Sequence, residues 1–144
     1  MTNLQEIIRN TPIIAGITAW FIAQGIKVIL TFCYEKRIAI ERMWGSGGMP
    51  SSHSSLVCAL TVAVGKSAGF NSEIFAVATV LSFIVMYDAT GVRRETGIQA
   101  KAINQLFAHT DLKWDEQLKE LIGHSPIQVF AGALLGIIVG CFFC

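Results

Sequence analysis

Three short stretches of the chain concentrate side chains able to do chemistry. The densest is Gly45-Ser-Gly-Gly-Met-Pro-Ser-Ser-His-Ser-Ser55. Its glycines let a backbone approach a ligand closely, Pro50 suits the first turn of a helix, and Ser51, Ser52, Ser54 and Ser55 supply caps and donors. Unpaired amides at a helix start, together with the positive end of the helix dipole, make an anion site whose usual occupant is phosphate. Ser51 and Ser52 are therefore candidate phosphate-binding residues. His53 beside them titrates near neutrality and can protonate a leaving oxygen. The same composition also describes a Gly/Ser turn that does no more than cap a helix.

The second stretch is Asp88-Ala-Thr-Gly-Val-Arg-Arg94. Adjacent guanidiniums either anchor anionic headgroups loosely or grip one phosphate in bidentate fashion, and Asp88 either pairs with an arginine or orients a histidine. The third stretch is Gly123-His124-Ser125-Pro126. His109, beside Asp111, reads as a solvated surface residue. Two lysines fall within apolar runs, where ionisable groups are costly and so are functional candidates. Lys27 lies about 9 Å from the Cys33 end of its run at the rise of a helix, on one stripe with Trp20, Gln24 and Tyr34; it either lines a polar interior face or snorkels outward. Lys66, near the end of its run, is expected to snorkel.

The elements that must position these groups follow from composition. Of the 144 residues, 53% are hydrophobic and only 15% charged, with a mean hydropathy of +0.56, against about 25% charge in a soluble domain. This is the composition of a membrane protein, and it is too rich in Ile, Leu, Val and Phe for disorder. The net charge of +1 supplies no field to attract nucleic acid. A membrane-spanning helix needs about 20 mostly apolar residues. Four stretches meet or approach that length: Pro12 to Cys33, Ser54 to Phe70, Ile74 to Val92 and Pro126 to Cys144. Cys33, Cys58, Cys141 and Cys144 sit in or at the ends of these runs and read as small buried hydrophobes. The CxxC of Cys141 and Cys144 lacks the partners that zinc or redox chemistry requires.

With four spans, the long connections from Tyr34 to His53 and from Arg93 to Ser125 share one side and can build one site. Eight of the eleven cations fall in them, which the positive-inside rule places in the cytoplasm. In the second connection Ile98, Ile103, Leu106 and Phe107, then Leu112, Leu118, Leu121 and Ile122, recur near helical spacing. They predict one or two amphipathic surface helices, with Gly123 as a C-cap. Gly132, Gly136 and Gly140 form a doubled GxxxG that suits internal packing or, alternatively, a homodimer. Gly65, Gly69, Ala59 and Ala63 repeat the small-residue spacing in the second apolar stretch. The fold class is an all-α, polytopic helix bundle forming a single domain over residues 1–144.

These residues carry a resemblance. GGMPSSHS from Gly47 to Ser54, DATGVRRETGIQAKAIN from Asp88 to Asn104 and LKELIGHSPIQVFAGALLG from Leu118 to Gly136 resemble the divergent PAP2 family of small integral membrane proteins. That family is related to acid phosphatases and vanadium-dependent haloperoxidases. In the wider superfamily a Lys/Arg motif binds phosphate, a PSGH motif adds a serine and an acid histidine, and a third motif adds an arginine, a nucleophilic histidine and its aspartate. Pro50-Ser51-Ser52-His53 resembles the second motif, with Ser in place of Gly. Lys27 stands for the first motif, without an Arg-Pro following, and Arg93 or Arg94 for the third-motif arginine. Where the third-motif histidine belongs stand Gln99 and Ala100. Either His124 supplies the nucleophile, oriented by Asp88 or another carboxylate, or the chain lacks this chemistry.

The resemblance implies a membrane phosphatase acting on a lipid phosphomonoester or pyrophosphate in the plasma membrane of a bacterium. His124 attacks phosphorus, Lys27, Arg93 and Arg94 steady the equatorial oxygens, His53 protonates the leaving alcohol, and water releases the phosphohistidine. The scheme needs no metal or cofactor, and vanadate is expected to inhibit as a phosphate mimic. Two readings from other classes compete with it. One is a non-catalytic protein binding anionic headgroups through Arg93, Arg94 and the Gly/Ser turn. The other is a small transporter subunit using Lys27 and Asp88.

Overall fold

The computed structural model describes residues 3–36, 48–108, 118–120 and 122–143, with helices and irregular chain but no strand among them. Arg37, Arg42, His109, Asp111, Leu112, Lys113, Leu121 and Cys144 lie outside the described residues. The helices are α1 (Asn3–Ile8), α2 (Thr11–Glu35), α3 (Ser52–Ala68), α4 (Glu73–Thr90), α5 (Val92–Ala108) and α6 (Pro126–Phe142). Local chemistry sets their starts. Asn10, Ser51, Ser72 and Ser125 are N-caps whose side chains accept from Ile13, Ser54, Phe75 and Gln128 amides, and Pro12 and Pro126 occupy first-turn positions. The four apolar stretches thus become α2, α3, α4 and α6. The short α1 has no counterpart among the expected elements.

Close packing of small residues organises the helices around α3, which touches α2, α4 and α6. Gly132, Gly136 and Gly140 of α6 face the carbonyls of Ser51, Ser55 and Ala59 so closely that none has room for a Cβ. The Ser55 hydroxyl donates to the Gly132 carbonyl at 2.8 Å. The homodimer expected through these three glycines therefore finds that face already covered by α3 of the same chain. On α2 the buried positions are Ala15, Gly16, Ala19, Ala23, Gln24 and Lys27. Three alanines four residues apart thus lead directly to the buried lysine. Between α3 and α4, Thr61 and Ser82 are 2.7 Å apart and also reach backbone carbonyls, an interhelical bond worth about 0.6 kcal/mol in lipid. Lys66 does not simply snorkel, because its Nζ donates to the Cys141 carbonyl at 2.6 Å, near the C-terminal end of α6.

The outward surface is apolar. Phe21, Ile29, Val77, Phe83, Ile84, Tyr87, Ile127 and Phe130 are all more than half exposed, whereas the core alanines are buried, and a soluble monomer rarely exposes apolar surface on this scale. Two helical stretches are long and apolar enough to cross a membrane, Thr11–Cys33 and Glu73–Ala108; Pro126–Phe142 is equally apolar but shorter. Of the cysteines expected to be buried, Cys58 is, whereas Cys33 and Cys141 are exposed on outward faces.

The second long connection differs in part from expectation. Among its described residues one amphipathic helix, α5, is present, within the one or two expected, and it buries Gly97 and Ala100. Residues 118–120 are not helical. Asn104 grips that segment, donating to the Leu118 carbonyl at 2.8 Å and accepting from its amide at 2.9 Å. Gly97 lies against the Glu120 and Ile122 backbone, and Gly123 against that of Arg93 and Arg94. Gly123 is therefore no C-cap. With φ of +91° and no space for a side chain, it lets the chain turn hard against α5 and deliver His124.

Candidate functional site

Four chain segments meet at one end of the bundle. The Ser51 amide, just ahead of α3, donates to the Gln128 carbonyl of α6 at 3.0 Å, and the His124 amide donates to the Ala89 carbonyl of α4 at 2.9 Å. These two bonds tie the motif ahead of α3 and the His124 segment to their neighbours. From α2, the Lys27 Nζ donates to the Ser52 Oγ at 3.1 Å. Lys27 is only 3% exposed, and Gly48 lies across its aliphatic stem.

The serines divide into two jobs. Ser51 is fully buried, and its Oγ accepts from the Ser54 amide and hydroxyl. It is the helix cap, not a group turned to a ligand. Ser54 and Ser55 are likewise buried, Ser55 in the α3–α6 seam. Ser52 is the serine in contact with a charged group, Lys27, among the described serines of the motif.

His53, Val85, Ala89, Arg93, Gly123 and His124 line a small cleft. Three of the expected site residues, His53, Arg93 and His124, are thus brought together from α3, α5 and the segment before α6. Arg94 does not line it; its backbone packs on Gly123. Asp88 does not orient His124. Its Oδ2 accepts from Arg93 Nε at 2.5 Å, and both side chains remain over a third exposed, so the pair restrains the guanidinium more than it stabilises the fold. The group actually facing His124 Nδ1 is the Gln128 Oε1, 3.3 Å away. The sequence carries a sign of this: Ser125-Pro-Ile-Gln128 is a capping box, which aims the Gln128 side chain back toward the start of α6.

The cleft is electropositive. His53 stands in the first, polar turn of α3, ahead of its apolar stretch. Its pKa is lowered, first by desolvation and then by the charges of Arg93 and Lys27, with Asp88 acting in the opposite sense. His124, in the irregular segment ahead of α6, is almost fully buried. Desolvation lowers its pKa most; the Gln128 hydrogen bond opposes this, the Lys27 and His53 charges add to it, and a hydrogen bond with the Gly48 backbone opposes it again. Desolvation penalises a charge of either sign, whereas the Arg93 and Lys27 charges that add to the shifts are the part that favours an anion. Among the described residues no group of three or more His, Cys, Asp or Glu side chains is arranged to hold a metal ion.

Comparison with known proteins agrees with the motifs. The model of the Divergent PAP2 family matches residues 8–139, and the chain belongs to that family. It is 38% identical to the uncharacterized membrane protein YuiD of Bacillus subtilis (strain 168), over 93% of this chain and 94% of that protein. No solved structure matches the chain.

Proposed function

We propose that this protein is a multi-pass membrane phosphatase that removes a terminal phosphate from a lipid phosphomonoester or pyrophosphate. The observation that carries the reading is the meeting of His53, Arg93 and His124 at one cleft, with the Lys27 charge acting on both imidazoles. In this reading α2, α3, α4 and α6 cross the plasma membrane of a bacterium, and the cleft opens at the cytoplasmic surface. A substrate with its tail in the bilayer then presents its phosphate at the depth of the cleft.

In the proposed reaction a lone pair of neutral His124 attacks phosphorus, and the bond from phosphorus to the leaving oxygen breaks. The leaving oxygen takes its electron pair and a proton from His53. Arg93 and Lys27 stabilise the charge on the equatorial oxygens. Water then attacks the phosphohistidine, giving its proton to the now neutral His53, and inorganic phosphate leaves with His124 restored. The chemistry draws on side chains alone, and vanadate, which takes up the same five-coordinate geometry, inhibits it.

A panel of phosphatidic acid, phosphatidylglycerol phosphate and polyprenyl pyrophosphate, presented to purified protein in detergent, tests the reading by phosphate release. Release by wild type that is lost in both His53→Ala and His124→Ala supports it. No release from any substrate, or release indifferent to both changes, removes it. The headgroup-binding alternative draws on one specific feature, Gln99 and Ala100 in place of the third-motif histidine; it predicts retention of these lipids without turnover.

A further inference from the structure

We propose that Gln128 is a positioning residue that holds the proton of neutral His124 on Nδ1 and so leaves the Nε2 lone pair available. The argument starts from a donor whose identity is fixed. The Ser125 backbone N–H donates to Gln128 Oε1 at 3.0 Å, and an amide nitrogen could not accept that bond, so the carboxamide is oriented with its oxygen toward residues 124 and 125. His124 Nδ1 approaches the same oxygen at 3.3 Å. A carbonyl oxygen has two lone pairs and only accepts, so Nδ1 is the donor in this contact; the Gly48 backbone also favours a protonated ring, and we assign the single N–H of neutral His124 to the Gln128 oxygen because that contact lies at hydrogen-bond distance. A neutral imidazole has one N–H, and the second nitrogen is left as the base or nucleophile.

Gln128 itself is held by two further bonds. Its backbone amide donates to the Ser125 Oγ, and its carbonyl accepts from the Ser51 amide, which joins its position to the start of α3. The side chain does for His124 what a carboxylate does for a triad histidine, with one difference. A neutral amide fixes the tautomer without the ion pairing that would favour the imidazolium, so His124 stays unprotonated in an electropositive cleft. The catalytic meaning of this arrangement rests on the phosphatase reading; the tautomer does not.

Nitrogen NMR of the full-length protein, labelled at its three histidines and held in detergent micelles, reads the tautomer without any assay of activity. His53→Gln and His109→Gln variants assign the His124 signals. At neutral pH wild-type His124 is expected to show a protonated Nδ1 and an unprotonated Nε2. Gln128→Glu keeps the capping box and the acceptor; it should retain this tautomer and raise the His124 titration midpoint by about one pH unit or more. Gln128→Met should transfer the proton largely to Nε2. Ser125→Ala, which weakens the cap but keeps the Ser125 amide on Gln128, should leave the tautomer unchanged. A wild-type His124 carrying its proton on Nε2, or an Nδ1 proton indifferent to Gln128→Met, would overturn the proposal. If wild type shows the expected tautomer yet no lipid phosphate is turned over, the phosphatase reading fails and the role of Gln128 in fixing His124 stands.

Discussion

The α3–α6 seam and the cleft at its end are built from the same helices by opposite means. Along the seam, Gly132, Gly136 and Gly140 meet backbone oxygens directly, and the serine hydroxyls there are satisfied within the protein. In the cleft, His53, Arg93 and His124 project from three different segments, and Asp88 and Arg93 remain in contact with solvent. The three seam glycines have no room for a Cβ, whereas the cleft leaves part of Arg93 in solvent. The contrast separates what holds the fold from what acts, and it links them: the Ser51 to Gln128 backbone bond sits where the seam ends and the cleft begins.

The largest expected effect breaks the seam. Gly136→Leu drives a side chain into the Ser55 carbonyl and the Cys58 Cβ and should cost about 3 kcal/mol. Thermal unfolding in detergent should show the loss, together with loss of every activity; an unchanged melting temperature would mean that the helices do not approach this closely. Lys27→Met sharpens the contrast from the other side. It replaces a buried ammonium by an apolar chain of similar length, so the fold should persist while phosphate release falls by about a hundredfold, the typical loss on removing one stabiliser of transition-state charge. Unfolding of this variant would assign Lys27 to the seam.

Asp88→Asn should do less. It relaxes the hold on Arg93 and removes a negative charge beside the cleft, so vanadate should inhibit a few times more strongly. A loss of turnover as large as that of His124→Ala would instead make Asp88 part of the chemistry. The pH dependence is subtler. Both histidines have lowered pKa values, and the proposed reaction needs His53 protonated and His124 neutral, so kcat/KM should peak on the acid side of about pH 6.5, the ordinary imidazole value. A peak above neutrality would contradict the lowered values. The same shifts bear on stability. A histidine whose folded pKa lies below its unfolded one contributes stability fully above the unfolded value, and loses it as pH falls through the folded one.

The helices were legible because their signals are local. Apolar length, Pro12 and Pro126 near the helix starts, and serines at the caps located α2, α3, α4 and α6 to within a few residues. Residues 118–120 depart from the helical reading: Leu118 and Ile122 keep helical spacing, yet Asn104, distant in sequence, bonds to the Leu118 backbone and Gly97 packs on that of Glu120, where the chain is not helical. Lys27 could have been placed inward with more force, since Ala15, Ala19 and Ala23 share its four-residue register and small residues mark the packed face of a helix in lipid. The convergence of His53 with His124, 71 positions apart, depends on the α3–α6 seam and on Gly123, which no local pattern announces. Of the two roles open to Asp88, the structure shows the arginine pair, whereas a carboxylate is the usual partner of such a histidine. The structure uses an amide, and its mark in the sequence is a helix cap.

The central claim is that phosphorus passes through His124. Wild-type protein mixed with a lipid phosphate labelled in its terminal phosphoryl group and quenched within the first turnover should carry label that survives alkali and is released by acid, as a phosphohistidine does. The label should be absent from His124→Ala and slow to appear in His53→Ala, which lacks the acid for the leaving oxygen. Label on His124→Ala, or lipid dephosphorylated by wild type with no label on the protein at any quench time, would contradict it.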